Sequence, residues 1–339
     1  MEMNVEKQLI AVPASCEVLT RLDEQSVPIG LEYCGKICYK SENAITDESA
    51  PGFCTKIAEH GHNSVLEMRV KTFIVVVSES DVDVLIKLMP KYLVIDNLPS
   101  DDVQWQRILI TGSIRAFREM AMMYPYCVIT SQIAIVLGEQ HAFLFADIKS
   151  TFRNIENNGS HVVSVSLKEL EILKNTGIIT PDVFLRHRHI AVKFIVNRAV
   201  THEIVRHRPC SFLQESQRYC RYADDKFGNR VTFIEPMFFK KGSPEYELWE
   251  EVMLFTEKRY LILLETSTPQ ASRTVMPNSC KTEIIVFASL VEWNHIFHMR
   301  TSPAAEPSMR EVMIPLQKDF CEIFPGFDFN RRFPEDFIE

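Results

Sequence analysis

Apolar residues recur along this chain in two rhythms. Val70 to Val77 is dense in β-branched residues around Phe73 and predicts a strand, and Ile190 to Val196 (IAVKFIV) predicts a second. The helical rhythm replaces it over Asn197 to His207, with apolar residues at 200, 204 and 205. Residues 19–60 read as mainly helical around a polar loop at Lys40 to Pro51, with Ser49 to Thr55 opening a helix that runs through His60. Gly228 and Asn229 mark a turn before a short strand, Val231 to Ile234. Ser243-Pro244-Glu245 combines a cap, a proline at the first helical position and an acid at the positive end of the dipole, so a helix should run to Glu265. Thr268-Pro269 repeats that start and Pro277 limits it. Glu283 to Phe287 predicts a strand, followed by a helix through Trp293 to Met299 and a last helix over about Glu306 to Phe324.

The stretch from 72 to 188 has a different texture. It mixes short strands with Pro90, Pro99 and Pro125 and a polar loop, Asn154 to Ser160. It is taken as an inserted subdomain, 72–188, within a core made of 1–71 and 189–339. No tandem repeat of solenoid period and no Gly/Ser- or Pro-rich linker divides the chain.

At 339 residues, 46% hydrophobic and 24% charged, the chain can bury a sizeable core and has globular composition. The longest apolar runs, such as Val75 to Val77 and Ile133 to Leu137, fall far short of a membrane span. The N-terminus, MEMNVEKQLIAV, carries acids and no secretory pattern, so the expected compartment is the cytoplasm. Nine scattered cysteines without a CxxC argue against a disulfide scaffold or a structural zinc. His60 and His62 lie near Cys54 but lack a fourth partner, so no metal is expected.

A net charge of −8 speaks against a nucleic-acid binder. Against that background, Arg206 to Arg221 holds four arginines, one histidine and a single acid, Glu215. Arginine presents a planar fork of donors matched to phosphate. Arg206 and Arg208, two apart, cannot share a helix face, and Pro209 favours ending the helix there, so the two can point to different ligands. Ser216 and Arg218 alternate as in an extended segment and could face one pocket. A second triplet, Arg186-His187-Arg188, has the same three residues, but only the one at 206 is followed by seven residues, a serine, and then Arg218-Tyr219.

That longer pattern resembles the signature of the flavin-dependent thymidylate synthases, and the flanking THEIV and QRY look like the same family. CYKSENAIT (Cys38 to Thr46), HGHNSVLE (His60 to Glu67), SRTVMPNSCKTEI (Ser272 to Ile284) and EWNHIFHMRTSPAAEPSMREVMIPL (Glu292 to Leu316) resemble its other blocks, in the family's order. The resemblance implies an α+β fold, with mixed helices packed on an antiparallel-rich sheet and an inserted α/β subdomain. It also implies a methyltransferase that makes dTMP from dUMP, with methylenetetrahydrofolate as one-carbon donor and FAD and NADPH as reductant. By that pattern Arg206, His207 and Arg208 would contact FAD, together with Ser64, Glu67, Gln214, Ser289 and His295. Glu203, Arg206, Gln214, Glu215, Ser216, Gln217 and Arg218 would line the dUMP site, and Arg273 would reach its phosphate. Arg300 would favour ionisation of the uracil ring and act catalytically. The family's sites are shared between subunits of a homotetramer, which is the assembly implied here. No enzyme nucleophile is required, so Cys210, followed by Ser211 where the other thymidylate synthases have a histidine, reads as an incidental small residue.

Three departures accompany the resemblance. Ser289-Leu290-Val291 stands where relatives often have Asn-x-Arg; Met68 follows Glu67 where the family usually has His; and over a hundred residues separate SVLE from VKFIV. Inside that insertion, Thr111 to Phe117 (TGSIRAF) looks like the family's flavin-side Thr-Gly-Asn-x-Arg-x-Trp. It is either chance similarity at a strand-to-helix turn or a stand-in, through Ser113 and Arg115, for the group missing at Val291. The Phe-rich tail, Phe320 to Phe337, and the cluster Met120, Met122 and Met123 read as packing, and His141 and His161 receive no role. A second reading keeps a nucleotide- or flavin-binding pocket with reduced or lost catalysis. A third, a flavin- and folate-using RNA methyltransferase, calls for a basic surface that the net charge does not supply.

Overall fold

The computed structural model describes residues 8–41, 45–88, 92–100, 102, 104–148 and 159–329. Its strands are β1 (Ile10–Val12), β2 (Ser15–Val18), β3 (Val70–Ser78), β4 (Leu93–Leu98), β5 (Trp105–Ser113), β6 (His161–Val165), β7 (His189–Asn197), β8 (Ser211–Gln214), β9 (Thr232–Ile234) and β10 (Lys281–Ser289). The first helices are α1 (Val27–Lys36), α2 (Ser49–Glu59), α3 (Asn63–Leu66), α4 (Glu79–Lys87), α5 (Ile114–Met123), α6 (Val128–Gln140) and α7 (Ala142–Phe145). The rest are α8 (Leu167–Asn175), α9 (Pro181–His187), α10 (Arg198–Ile204), α11 (Pro244–Thr266), α12 (Pro269–Ser272), α13 (Leu290–Arg300) and α14 (Pro307–Ile323). No helix among the described residues is long and apolar enough to cross a membrane.

Two four-stranded antiparallel sheets carry the architecture, ordered β2-β7-β10-β8 and β4-β5-β3-β6, with a small parallel pair, β1-β9, beside them. Helices pack on the sheets, so the class is α+β. The central strands read as strands for a simple reason: nearly every inward position of β7 and β10 is Val, Ile, Phe or Ala and is buried, which suits residues stiff at χ1. The long strands end at a residue that caps a helix. Ser78, Ser113, Asn197 and Ser289 each accept the backbone N–H three residues on.

The core does not respect the boundary between 1–71 and 72–188. One buried cluster joins Leu31, Cys54 and Leu66 to Phe73, Phe117 and Phe145, and reaches Leu213 and Ile285. A second joins Leu109 and Val165 to Phe194, Trp293 and Phe320. Each fully buried large side chain contributes about 1.5–3 kcal/mol relative to exposure, so both segments depend on shared packing.

Several expectations change in detail. The helix foreseen over Asn197–His207 ends at Ile204, with Val205 as its C-cap, earlier than Pro209 alone requires. The helix opened by Thr268-Pro269 is a single turn, Pro269–Ser272. Met120 is buried, but Met122 and Met123 are exposed, because the last turn of α5 turns them outward. Phe320, Phe324 and Phe329 pack against one another and Phe297, while the tail from 330 onward lies outside the described residues, as do residues 42–44 of the CYKSENAIT block and most of the loop at 154–160.

Candidate functional site

The segment that follows α10 is a loop into the edge strand β8, so Arg206 and Arg208 lie on exposed backbone beside the sheet rather than within a helix. Arg208 folds back, donating from Nη1 to the carbonyls of Val205 (2.5 Å) and His207 (2.6 Å), with its guanidinium over Phe212. Among the described residues neither Arg206 nor Arg208 has a carboxylate partner in an ion pair. Arginine keeps its charge at any working pH, so both are available to an anion.

Arg208 lines a cleft of about 540 Å³, a volume typical of small-ligand sites, together with Glu67, Ser211, Ser289 and, from the other sheet, Ser113 and Arg115. Arg115 donates from Nη1 to Glu67 (2.5 Å) and from Nε to Glu119 (2.6 Å). Glu67, Arg208 and Ser289, expected on the flavin side, therefore share one cleft. Val291 is buried and does not reach it.

A second group gathers behind the arginine loop. Arg300, at the end of α13, donates from Nε to His207 Nε2 (2.9 Å), from Nη1 to Glu203 (2.7 Å) and from Nη2 to the Glu203 carbonyl (3.2 Å). Burial, reinforced by the Arg300 guanidinium, pushes His207 down to about 4, so its ring is neutral at pH 7 and can accept that hydrogen bond. His295 meets His207 edge to face, 5.9 Å between centroids. Glu292, which was not foreseen, lies beneath them: burial raises its carboxyl to about 8, against a modest lowering by the Cys210 thiol that donates to it at 3.8 Å. The donor atoms of His207, Glu292 and His295 lie within 4.8 Å of one another, yet Arg300 already occupies one ring nitrogen and brings a positive charge that disfavours a cation. Cys210 is held well above the ordinary thiol range by burial and by Glu292, which keeps it protonated and poorly nucleophilic.

Beyond β8 the expected extended segment gives way to a turn. Ser216 and Arg218 do not alternate along a strand; the Ser216 hydroxyl accepts the Arg218 N–H at 3.3 Å, and the Arg218 guanidinium lies over the Tyr219 ring. This turn is seated on the CYKSENAIT block, where Ser216 N–H donates to the Cys38 carbonyl and Tyr39 packs on Tyr219. Gln214 is held by Thr201 and Thr282 at 3.0 and 3.1 Å. Gln217 is buried and its Nε2 has no hydrogen-bond partner among the described residues, an orphaned donor of the kind a ligand would satisfy. Glu215 points elsewhere. It accepts from Tyr222 (2.7 Å) and Lys281 (3.0 Å) and borders a separate cavity of about 650 Å³ lined also by Lys40, Lys193 and Arg230. Ser64 and Arg273 are exposed and lie on neither cavity wall.

Comparison with known proteins agrees with the sequence signature. The family model described as thymidylate synthase complementing protein matches residues 172–326. Two curated relatives are named flavin-dependent thymidylate synthase: one from Pyrococcus furiosus, 36% identical over 34% of this chain and 47% of its own length, and one from Mycobacterium bovis, 28% identical over 41% of this chain and 60% of its own. The chain thus spans between about half and three-fifths of the length of these relatives. Among solved structures, a UMP/dUMP methylase, PolB from Streptomyces cacaoi, bound with 5-Br UMP, is similar at 15% identity and a TM-score of 0.36, covering 46% of this chain and 76% of that one.

Proposed function

We propose that this chain is a flavin-dependent thymidylate synthase that converts dUMP to dTMP, with methylenetetrahydrofolate as one-carbon donor and NADPH as reductant. The observation that carries the reading is the pairing of two un-neutralised arginines, Arg206 and Arg208, with the Arg300–His207–Glu203 cluster directly behind them. The residues fit a flavin: the cleft has the size of a small-ligand site, and Arg208 faces it without a carboxylate partner among the described residues. FAD, when bound, supplies the redox chemistry. The chain's own residues supply position and charge. Arg208, Glu67 and Ser289 line the flavin cleft, with Arg206, His207, Gln214, His295 and Ser64 assigned to the same cofactor. Gln217, Ser216 and Arg218 form the turn that meets the nucleotide, with Gln214, Glu215, Glu203, Arg206 and Arg273 assigned to dUMP.

Arg300 is assigned the catalytic role: a fixed guanidinium stabilises the charge that develops when the uracil ring ionises. Neutral His207 accepts from Nε of that guanidinium and so orients it without competing for its charge. A homotetramer and a cytoplasmic location belong to the same reading. The purified protein should carry or take up FAD, seen in its visible spectrum, and should form dTMP only when dUMP, folate and reductant are all present. Protein that binds flavin and forms no dTMP favours instead a binding homologue without catalysis, the reading motivated by Val291.

A further inference from the structure

The two sheets are built to one plan. In each, a nine-residue strand ends at a capping residue and leads into a helix, then into a short edge strand, and later into a second nine-residue strand that ends at a capping serine and leads into another helix. The long strands pair in the same register: Val70 with Ser113 through Ser78 with Trp105, and His189 with Ser289 through Asn197 with Lys281. The short strands β4 and β8 flank β5 and β10 on the same side. Small contacts repeat as well. The residue after each capping serine donates its N–H to the carbonyl just before the first long strand, Ile114 to Arg69 and Leu290 to Arg188, at 3.1 and 2.8 Å. Both arginines then reach the same stretch, Arg69 the carbonyls of Leu22 and Gln25, Arg188 the carboxylate of Asp23.

The fourth strands are exchanged. β2 precedes the first plan in sequence but pairs with β7 of the second, and β6 precedes the second but pairs with β3 of the first. Strand exchange between equivalent units follows from duplication, since each first strand finds the same edge on either unit. The cleft lies where the units face each other, and its walls are matched positions of the two: Val70 with His189, Val94 with Ser211, Gly112 with Ala288. Ser113 faces Ser289 in the same sense. One match is unequal. Where the second unit has buried Val291, the first has Arg115, which reaches the cleft.

We propose that the chain is a tandem duplicate folded as an internal pseudo-dimer with its first strands exchanged, and that the cleft on its pseudo-twofold axis holds the flavin between Arg208 of the second repeat, which meets its phosphates, and Arg115 of the first, which donates a hydrogen bond to one of its neutral acceptors. The inserted subdomain is then a second copy of the sheet unit, not an accessory. Glu67 and Glu119 fix the Arg115 guanidinium through Nη1 and Nε and leave Nη2 to donate to the ligand. The ligand assignment rests on the flavin reading above.

The test is FAD titration of the full chain by flavin fluorescence, with and without dUMP, for the wild type, Arg115→Ala, Arg115→Lys and the exposed control Lys168→Ala. Expected are a loss of affinity of about tenfold or more for Arg115→Ala, a smaller loss for Arg115→Lys, which keeps the charge but not the fork, and none for the control. Should Arg115→Ala fail to fold, Arg115→Gln carries the same comparison. A wild type that binds FAD with Arg115 variants of equal affinity overturns the composite cleft and leaves the flavin reading standing. A wild type that does not bind FAD overturns both.

Discussion

The chain contains Arg-His-Arg twice, and the two copies have been put to opposite uses. At 186–188 every charge is answered: Arg186 and His187 both engage Asp96, the latter through Nε2 at 2.9 Å, while His187 Nδ1 meets Thr111 at 2.7 Å and Arg188 pairs with Asp23. That triplet ties helix α9 to β4 and to the segment before α1. At 206–208 the flanking arginines have no carboxylate partner among the described residues, and the histidine is kept neutral by burial and accepts from Arg300. The difference teaches that an arginine cluster becomes a ligand site through what surrounds it. In the first triplet the neutralised guanidinium groups hold the fold together; in the second the un-neutralised ones are held ready for an anion.

The sharpest way to break this comparison is at Arg300. Arg300→Ala should lower kcat for dTMP formation by about 10²–10³-fold in protein that still folds and binds FAD, the usual cost of removing a fixed group that stabilises developing charge. Asp96→Asn acts on the other triplet. It removes the carboxylate charge and puts an NH2 donor where one of the two acceptor oxygens faced Arg186 and His187, and should destabilise the protein by about 2 kcal/mol in urea unfolding, with FAD affinity unchanged in the folded protein. Arg208→Ala and Arg186→Ala form a matched pair: the first should weaken FAD binding about tenfold, the second should not change it. Equal losses from the two would erase the distinction.

The smallest expected effect is in pH. Glu292 is neutral below about 8 because burial raises its carboxyl, and above that its new charge lies beside Cys210 on the cleft wall. FAD affinity should therefore fall about threefold as pH rises through 8, a modest screened repulsion, and Glu292→Gln should remove the change. The same group contributes stability that is full below the unfolded carboxyl's range and is lost as pH climbs through about 8, because the folded state holds the proton longer. Asp96 has the opposite sign. Burial pushes it up, but its bonds to His187 and Arg186 outweigh that and leave it lowered, so its contribution is present above the unfolded value and lost as pH falls through the folded one.

Much of this was legible in residue order. The β-branched runs gave β3 and β7 within a residue or two, and Ser243-Pro244 placed the start of α11 correctly. Spacing alone separated the two triplets. What local reasoning missed was set by distant packing. Ser216 and Arg218 alternate like strand residues, but seating on Cys38 bends them into a turn. Glu292 received no role from the sequence; it stands three residues after Ser289, which caps α13, and only its burial under His207 gives it one. The matched sheets were hidden because duplicated positions share strand length and register, not identity: Val70 answers His189, and Gly112 answers Ala288.

The central claim is catalytic, and release of tritium from dUMP labelled at C5 tests it most directly. FAD-loaded chain supplied with methylenetetrahydrofolate and NADPH should release tritium in step with dTMP, and Arg300→Ala should suppress both. A yellow, folded protein that binds dUMP yet releases no tritium would contradict the account.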